Sequence, residues 1–355
     1  MGEESLILAS EQKGRDRKII RTSSGTDHTN NVINMPNVLI LGGSGYLGLA
    51  VGQALVRSGN YAVWGTTRSA EKAKTLETNE ITPIVGEATN PEWLADTIAT
   101  NHIDTVIDVT QAYEQAGDIL GGIINAAQKR ADALAGDKSV GPKLGFIYTS
   151  GSWVHGSPSR RVSDLTVPGT STSPDKPATA VGWRPAHEQA ILAARNVLDV
   201  AVLRPSAIYG RGSWVWGVWW SPLLAAAKTN NDSDPVQLPA DATARTGTVH
   251  VDDLADAFVR TADRLDGQLG SWPVFDVGAE TLPIGDIIEA AAKVLGVKAP
   301  IVYAGTHGSP FLEALSLVSN SNTARARTVL GWEPKHRDFI QKIAVTVSAW
   351  RSVQE

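Results

Sequence analysis

The chain has 355 residues and a formal net charge of −5, with both signs interspersed, which excludes the basic surface that recruits nucleic acid or an anionic membrane. It has no cysteine, so disulfides, thiolate metal sites and a cysteine nucleophile are excluded as well. The seven histidines are scattered, and none makes the i, i+4 arrangement with glutamate of a zinc-hydrolase helix, so no metal is expected.

Residues 1–35 read as a dispensable disordered tail. They lack the apolar run of a secretory signal and the acid-poor pattern of a transit peptide, so a cytoplasmic location is expected. The folded pattern begins with Val38-Leu39-Ile40-Leu41, an apolar run suited to a parallel strand covered on both faces. It enters Gly42-Gly43-Ser44-Gly45-Tyr46-Leu47-Gly48, in which glycines 43, 45 and 48 have the G-x-G-x-x-G spacing of a dinucleotide site. One glycine permits the tight turn, one lets the backbone approach a pyrophosphate, and one lets the helix from Leu49 to Arg57 pack on its strand.

Tyr61 to Thr67 reads as the second strand. An NAD site places Asp or Glu near its end to hold the ribose 2′-hydroxyl, whereas Thr66-Thr67-Arg68-Ser69 offers a guanidinium and hydroxyls. Thr67 and Arg68 therefore favour a 2′-phosphate, and NADP over NAD. Strands at Ile81–Val85, Ile103–Val109 and Leu144–Thr149 follow, separated by a helix capped by Asn90 and a long helix over Tyr113 to Ala135. This alternation predicts an α/β, Rossmann-type, doubly wound parallel sheet.

Residues 157–181 are a Pro-, Ser- and Thr-rich loop near the strand ends where ligands bind. A helix from Trp183 to Leu198 and a strand from Val200 to Leu203 come next. On that helix Arg184 and Glu188, four apart, are expected to form an ion pair. Beyond Arg204-Pro205 the alternation loosens, with strands at Thr246–Val251 and Val274–Val277 and a last helix near His336 to Arg351. We expect a Rossmann domain over residues 36–204 and, over 205–355, a smaller substrate lobe with segments returning to the sheet. His250, Asp252 and Asp253 are expected to fix a strand-to-helix turn and cap the helix. Four tryptophans, Trp214, Trp216, Trp219 and Trp220, fall within seven residues. They suggest an apolar wall able to stack an aromatic or polycyclic ligand, to which Trp153 and Trp183 add; core packing or a homodimer contact would use them equally well.

Several segments together resemble the extended branch of the short-chain dehydrogenases/reductases, the NAD-dependent epimerase/dehydratase-like proteins. They are Gly42-x-x-Gly45-x-x-Gly48, Tyr148-Thr149-Ser150-Gly151-Ser152-Trp153-Val154-His155-Gly156, Leu203-Arg204-Pro205-Ser206-Ala207-Ile208-Tyr209-Gly210, Val249-His250-Val251-Asp252-Asp253 and Leu330-Gly331-Trp332-Glu333-Pro334. The resemblance implies that the glycine loop and Arg68 hold the adenosine end of the cofactor. It puts Glu87 and Ala88 near the adenine, Val109 and Thr110 beside the ribose and nicotinamide, and the segment from Pro205 past the nicotinamide. The family's Tyr-x-x-x-Lys is absent: Trp183 stands at the tyrosine and His187 at the lysine in our register, and His155 replaces the tyrosine of Val-Tyr-Gly.

Ser150 is therefore expected to polarise the substrate oxygen and His187 or water to manage the proton, His187 alternatively bonding the ribose, with Ser152 and Tyr209 as further candidates. Three functions fit the sequence. The first is an NADP(H)-dependent enzyme acting on a carbonyl or hydroxyl of a small, fairly apolar metabolite. The second is a redox-neutral isomerase, cyclase or lyase on the same fold, and the third is a non-catalytic NADP(H) sensor.

Overall fold

The structure, a computed structural model, describes residues 35–173, 175–229 and 233–354, so the expected tail lies outside the described residues but for Met35. Strands and helices alternate as β1 (Asn37–Leu41), α1 (Tyr46–Ser58), β2 (Ala62–Thr67), α2 (Ala70–Glu77), β3 (Thr82–Val85), α3 (Pro91–Thr100), β4 (Thr105–Asp108), α4 (Ala116–Gly136) and β5 (Leu144–Thr149). Local chemistry sets the boundaries. Gly59 ends α1 in the left-handed region, Ser69 accepts from Lys72 N at the start of α2, and Asn90 accepts from the amides of Glu92 and Trp93 ahead of Pro91.

The chain continues through a 3-10 turn (Ser152–His155), β6 (Val162–Ser163), α5 (Arg184–Ala193) and β7 (Leu198–Pro205). The central sheet has seven strands in the order β11-β7-β5-β4-β1-β2-β3, where β11 is Val274–Val277, and every neighbouring pair is parallel. Its two faces bury separate apolar layers. One includes Val51, Leu55, Leu254 and Phe258, and the other Leu94, Ile119, Ile123 and Ile191. β1 is buried on both sides, which is why it reads as an unbroken apolar run.

The remaining elements are β8 (Ala207–Tyr209), α6 (Gly217–Thr229), β9 (Val236–Leu238), β10 (Arg245–His250), α7 (Val251–Ala262), β12 (Glu280–Pro283), α8 (Ile284–Leu295), β13 (Ile301–Tyr303), α9 (Pro310–Leu315), β14 (Ser321–Asn322), α10 (Ala324–Leu330) and α11 (Ile343–Ser352). They form a three-stranded sheet, β12-β10-β8, two strand pairs, and a third core around Trp219, Leu238, Ile287 and Phe339. Among the described residues no helix is long and apolar enough to cross a membrane.

Several boundaries differ from expectation by a few residues, and three of them have a local cause. α1 begins at Tyr46 rather than Leu49, because Gly45 N closes the turn onto Gly42 O at 2.9 Å and is itself the cap. α5 stops at Ala193 and tightens into a 3-10 turn over Ala194–Asn196, which frees Leu198 for β7. α11 begins only at Ile343, because the amides of Lys335 and His336 are held by the Asp253 carboxylate at 3.0 and 2.8 Å.

Candidate functional site

The glycine loop leaves β1 at Leu41, with Gly42 at φ +78°, a conformation that side chains resist. A Cβ on Gly48 would lie 2.2 Å from Gly42 O, so α1 sits directly on the turn. A Cβ on Gly43 would lie 2.8 Å from Gly65 Cα, so this glycine serves the approach of β2. No side chain caps the first turn of α1 and no acid lies in it, so its amides remain available to an anion. Loop and helix end thus fit a dinucleotide phosphate.

The loop is braced from β2. Gly42 N donates to Thr66 Oγ1 at 3.0 Å, and Ser44 Oγ donates to Thr67 Oγ1 at 3.1 Å. Thr67 is buried under the loop while Arg68 is exposed beside it. Tyr46 donates its hydroxyl to Gly210 O at 2.8 Å, tying α1 to the segment after β8, and Leu47 packs against the core. At the end of β3, Glu87 is exposed and accepts from Thr89 Oγ1 at 3.0 Å, whereas Ala88 is buried.

Next to the loop lie the ends of β4 and β5. Thr110 packs on Gly42, and its amide donates to Asp108 Oδ1 at 2.9 Å. Asp108 is buried, and burial pushes its carboxyl above the usual range despite that bond. Val109, between them, is half-buried. Across from them, α5 presents Trp183, Arg184 and His187. Tyr148 meets His187 edge-on at 4.9 Å, and Tyr113 and Trp183 lie 5.9 Å apart. Burial raises the Tyr148 phenol, Arg184 working against it, so it stays protonated near neutral pH. Burial and then the Arg184 charge lower His187, which keeps its imidazole neutral.

The expected Arg184–Glu188 pair does not form. Arg184 lies over the rings of Tyr113 and Trp183, at 5.0 and 5.6 Å from their centres. Glu188 instead faces the sheet, where Arg204 grips it with Nε at 3.0 Å and Nη2 at 2.5 Å. The helix turns these two side chains onto different neighbours, and the buried partner wins.

That grip is part of a chain of buried charge beneath the cleft. Ser150 Oγ donates to Glu188 Oε1 at 2.5 Å, Arg204 Nη1 lies 3.9 Å from Asp276, and Asp276 bonds His155 Nε2 at 2.9 Å. Asp164 accepts the Asp276 amide and faces Arg325 at 3.1 Å. Ser150 therefore spends its proton on Glu188, so in this arrangement it does not polarise a substrate oxygen. Ser152 diverges from it, lining a small niche with Trp153, His155, Thr246 and Asn320. Pro205 is buried where β7 meets Val277. Tyr209 is buried, stacked on Phe339 at 4.0 Å and bonded to His336 O, which removes it from the reacting groups.

The tryptophan wall is also corrected. Trp216, Trp219 and Trp220 are 0–1% exposed, and the first two donate their indole N–H to the carbonyls of Ile208 and Pro239. They are core. Trp214 is about half exposed and stacks on Phe311, which meets Trp153 edge-on. A separate cavity of 610 Å³ in this layer is lined by Asp241, Tyr303, Thr306, Glu313, Ser316 and neighbours, without a basic side chain. His250 caps α7 through Nδ1, which accepts from Asp252 N at 3.1 Å, as expected, and its ring stacks on His336 at 3.9 Å.

Sequence reasoning missed Asp108, Tyr148, Arg184 as a site residue, and the Arg204–Asp276 link. Asp276 did carry a signal, being an acid inside the apolar strand Val274-Phe275-Asp276-Val277. Among the described residues, no cluster of three or more histidines and acids is placed to hold a metal ion.

A profile described as the NAD dependent epimerase/dehydratase family matches residues 38–278. A UDP-glucose 4-epimerase from Lactobacillus helveticus is 35% identical over 104 residues, which is 29% of this chain and 29% of that relative. The fold is similar to that of UDP-glucose 4-epimerase from Thermotoga maritima, solved with UDP-glucose, with a TM-score of 0.69 at 19% identity over 90% of this chain and 100% of the other. It is also similar to dTDP-glucose 4,6-dehydratase from Bacillus anthracis in complex with NAD, with a TM-score of 0.65 at 18% identity over 90% and 97% of the two chains.

Proposed function

The chain belongs to the NAD-dependent epimerase/dehydratase family, and from that premise we propose that it is an NADP(H)-binding enzyme acting on a carbonyl or hydroxyl of a small, fairly apolar metabolite. One observation carries the reading. The uncapped first turn of α1 and the Tyr148, His187 and Arg184 side chains meet at the same carboxyl edge of the sheet, joined by Thr110 against Gly42.

The loop amides of Gly43 and Ser44 and those of Tyr46 and Leu47 would hold the pyrophosphate, and Thr110 would flank the ribose. When bound, the nicotinamide supplies two-electron exchange with a substrate carbon. Around it, α5 contributes no tyrosine and no lysine. Tyr148 stays protonated and neutral His187 lies against its ring, so the first is able to donate a proton and the second to accept one. Glu188 and Arg204 keep Ser150 fixed beneath them. A net redox-neutral conversion is the second reading, favoured by the commitment of the Ser150 proton to Glu188.

Cofactor choice follows from the end of β2. It carries no acid, and Arg68 is exposed and forms no ion pair among the described residues, which suits a 2′-phosphate. Relatives solved with NAD bear on their own sites. Titration with NADPH and NADH, followed by nicotinamide fluorescence, tests this choice: NADPH should bind about tenfold or more tightly, and Arg68→Ala should remove the difference. Equal affinity in the unaltered protein would overturn the NADP assignment, and no binding of either nucleotide would overturn the enzyme reading.

A further inference from the structure

Arg184 is 8% exposed, and its guanidinium makes no hydrogen bond or ion pair among the described residues. Its Nε is sealed from water without a partner. A buried cation left unpaired is costly. The acids within reach are already engaged. Asp108 accepts the Thr110 amide and is pushed toward its neutral form, and Glu188 is gripped by Arg204 at two points.

The surroundings are shaped around this group. A Cβ on Gly151 would stand 3.1 Å from Arg184 Nη1, so the missing side chain makes room for the guanidinium. Two rings flank it, and that of Tyr113 is 45% exposed, so it is open to a flat apolar ligand. Arg184 is also the cation that acts on Asp108, Tyr148 and His187 alike. The site therefore offers one positive charge, which matches a singly charged carboxylate better than a phosphate.

We propose that Arg184 binds the carboxylate of the substrate, so that the enzyme acts on a small organic acid with a flat, apolar body. This rests on the reading of the cleft as a nucleotide-bearing active site. Calorimetric titration of the full chain, saturated with NADPH, with benzoate and with its neutral analogue benzamide tests it. Benzoate should bind at least about tenfold more tightly than benzamide. Arg184→Gln should erase that preference while leaving NADPH affinity within about threefold, and Arg184→Lys should retain part of it. Gly151→Ala, which crowds the guanidinium without removing it, should weaken benzoate and spare benzamide.

Equal binding of the two probes, or binding of neither, would overturn the proposal with the nucleotide reading intact. A loss of NADPH affinity of about tenfold or more in Arg184→Gln would assign the residue to the nucleotide instead, and overturn it too. Failure of the unaltered protein to bind nucleotide would strike the underlying reading first.

Discussion

His250 shows how one side chain couples the second layer to pH. Its ring caps α7 and lies flat on His336, so burial, and then the neighbouring histidine, push it down to about 4. In the unfolded chain a histidine titrates near 6.5. Between those values the unfolded state holds a proton that the folded state refuses, so stability rises with pH there. The contribution is present above about pH 6.5 and is lost as pH falls toward 4, on the order of 3 kcal/mol. His250→Asn keeps a capping acceptor and removes the titration. Its urea-unfolding stability should fall less between pH 7 and pH 5 than that of the unaltered protein; parallel declines would refute the assignment. The capping role was legible in the sequence because it depends on neighbours in the chain. The stacking on His336 was not, since 86 positions separate the two rings.

Among elements, α6 teaches the clearest lesson about what a pattern conveys. The sequence clusters Trp216, Trp219 and Trp220, and the structure keeps them together at the start of the helix. What clustering could not tell was whether these rings meet a ligand or the protein. α8 and α11 cover them, Trp350 of α11 packing edge-on against Trp220 at 5.6 Å. Trp219→Ala should therefore cost about 3–5 kcal/mol of stability, visible as a lower Tm, with nucleotide affinity unchanged. A variant that kept its Tm but lost ligand binding would restore the pocket reading. The glycine loop and the parallel sheet were legible for the opposite reason. Strand, turn and helix are contiguous there, and each glycine has a local steric task. On α5 the spacing of Arg184 and Glu188 was read as a contact, but Arg204, from a different strand, supplies the buried partner.

At the scale of the molecule, the charges beneath the cleft join α5, β7, β11 and the 3-10 turn after β5 into one unit. Burial alone would lower the Arg204 guanidinium, but Glu188 and Asp276 outweigh it and raise it. Removing one member strands the others. Glu188→Ala should cost about 3–5 kcal/mol in denaturant unfolding, and the double variant Glu188→Gln with Arg204→Met should cost less than that single change, since the Arg204 guanidinium is no longer left without the carboxylate that grips it. A double variant as unstable as the single would show that shape, rather than charge, sets the cost.

The return of β11 to the sheet also orders events in time. During synthesis the sheet's edge beside β7 stays open until Val274–Val277 have left the ribosome, after β8, α6, β10 and α7. Until then Arg204 and His155 wait without Asp276. The three-stranded sheet is only begun in that interval, because β12, α8 and α11, which complete it and its core, leave the ribosome after β11 has closed the seven-stranded sheet.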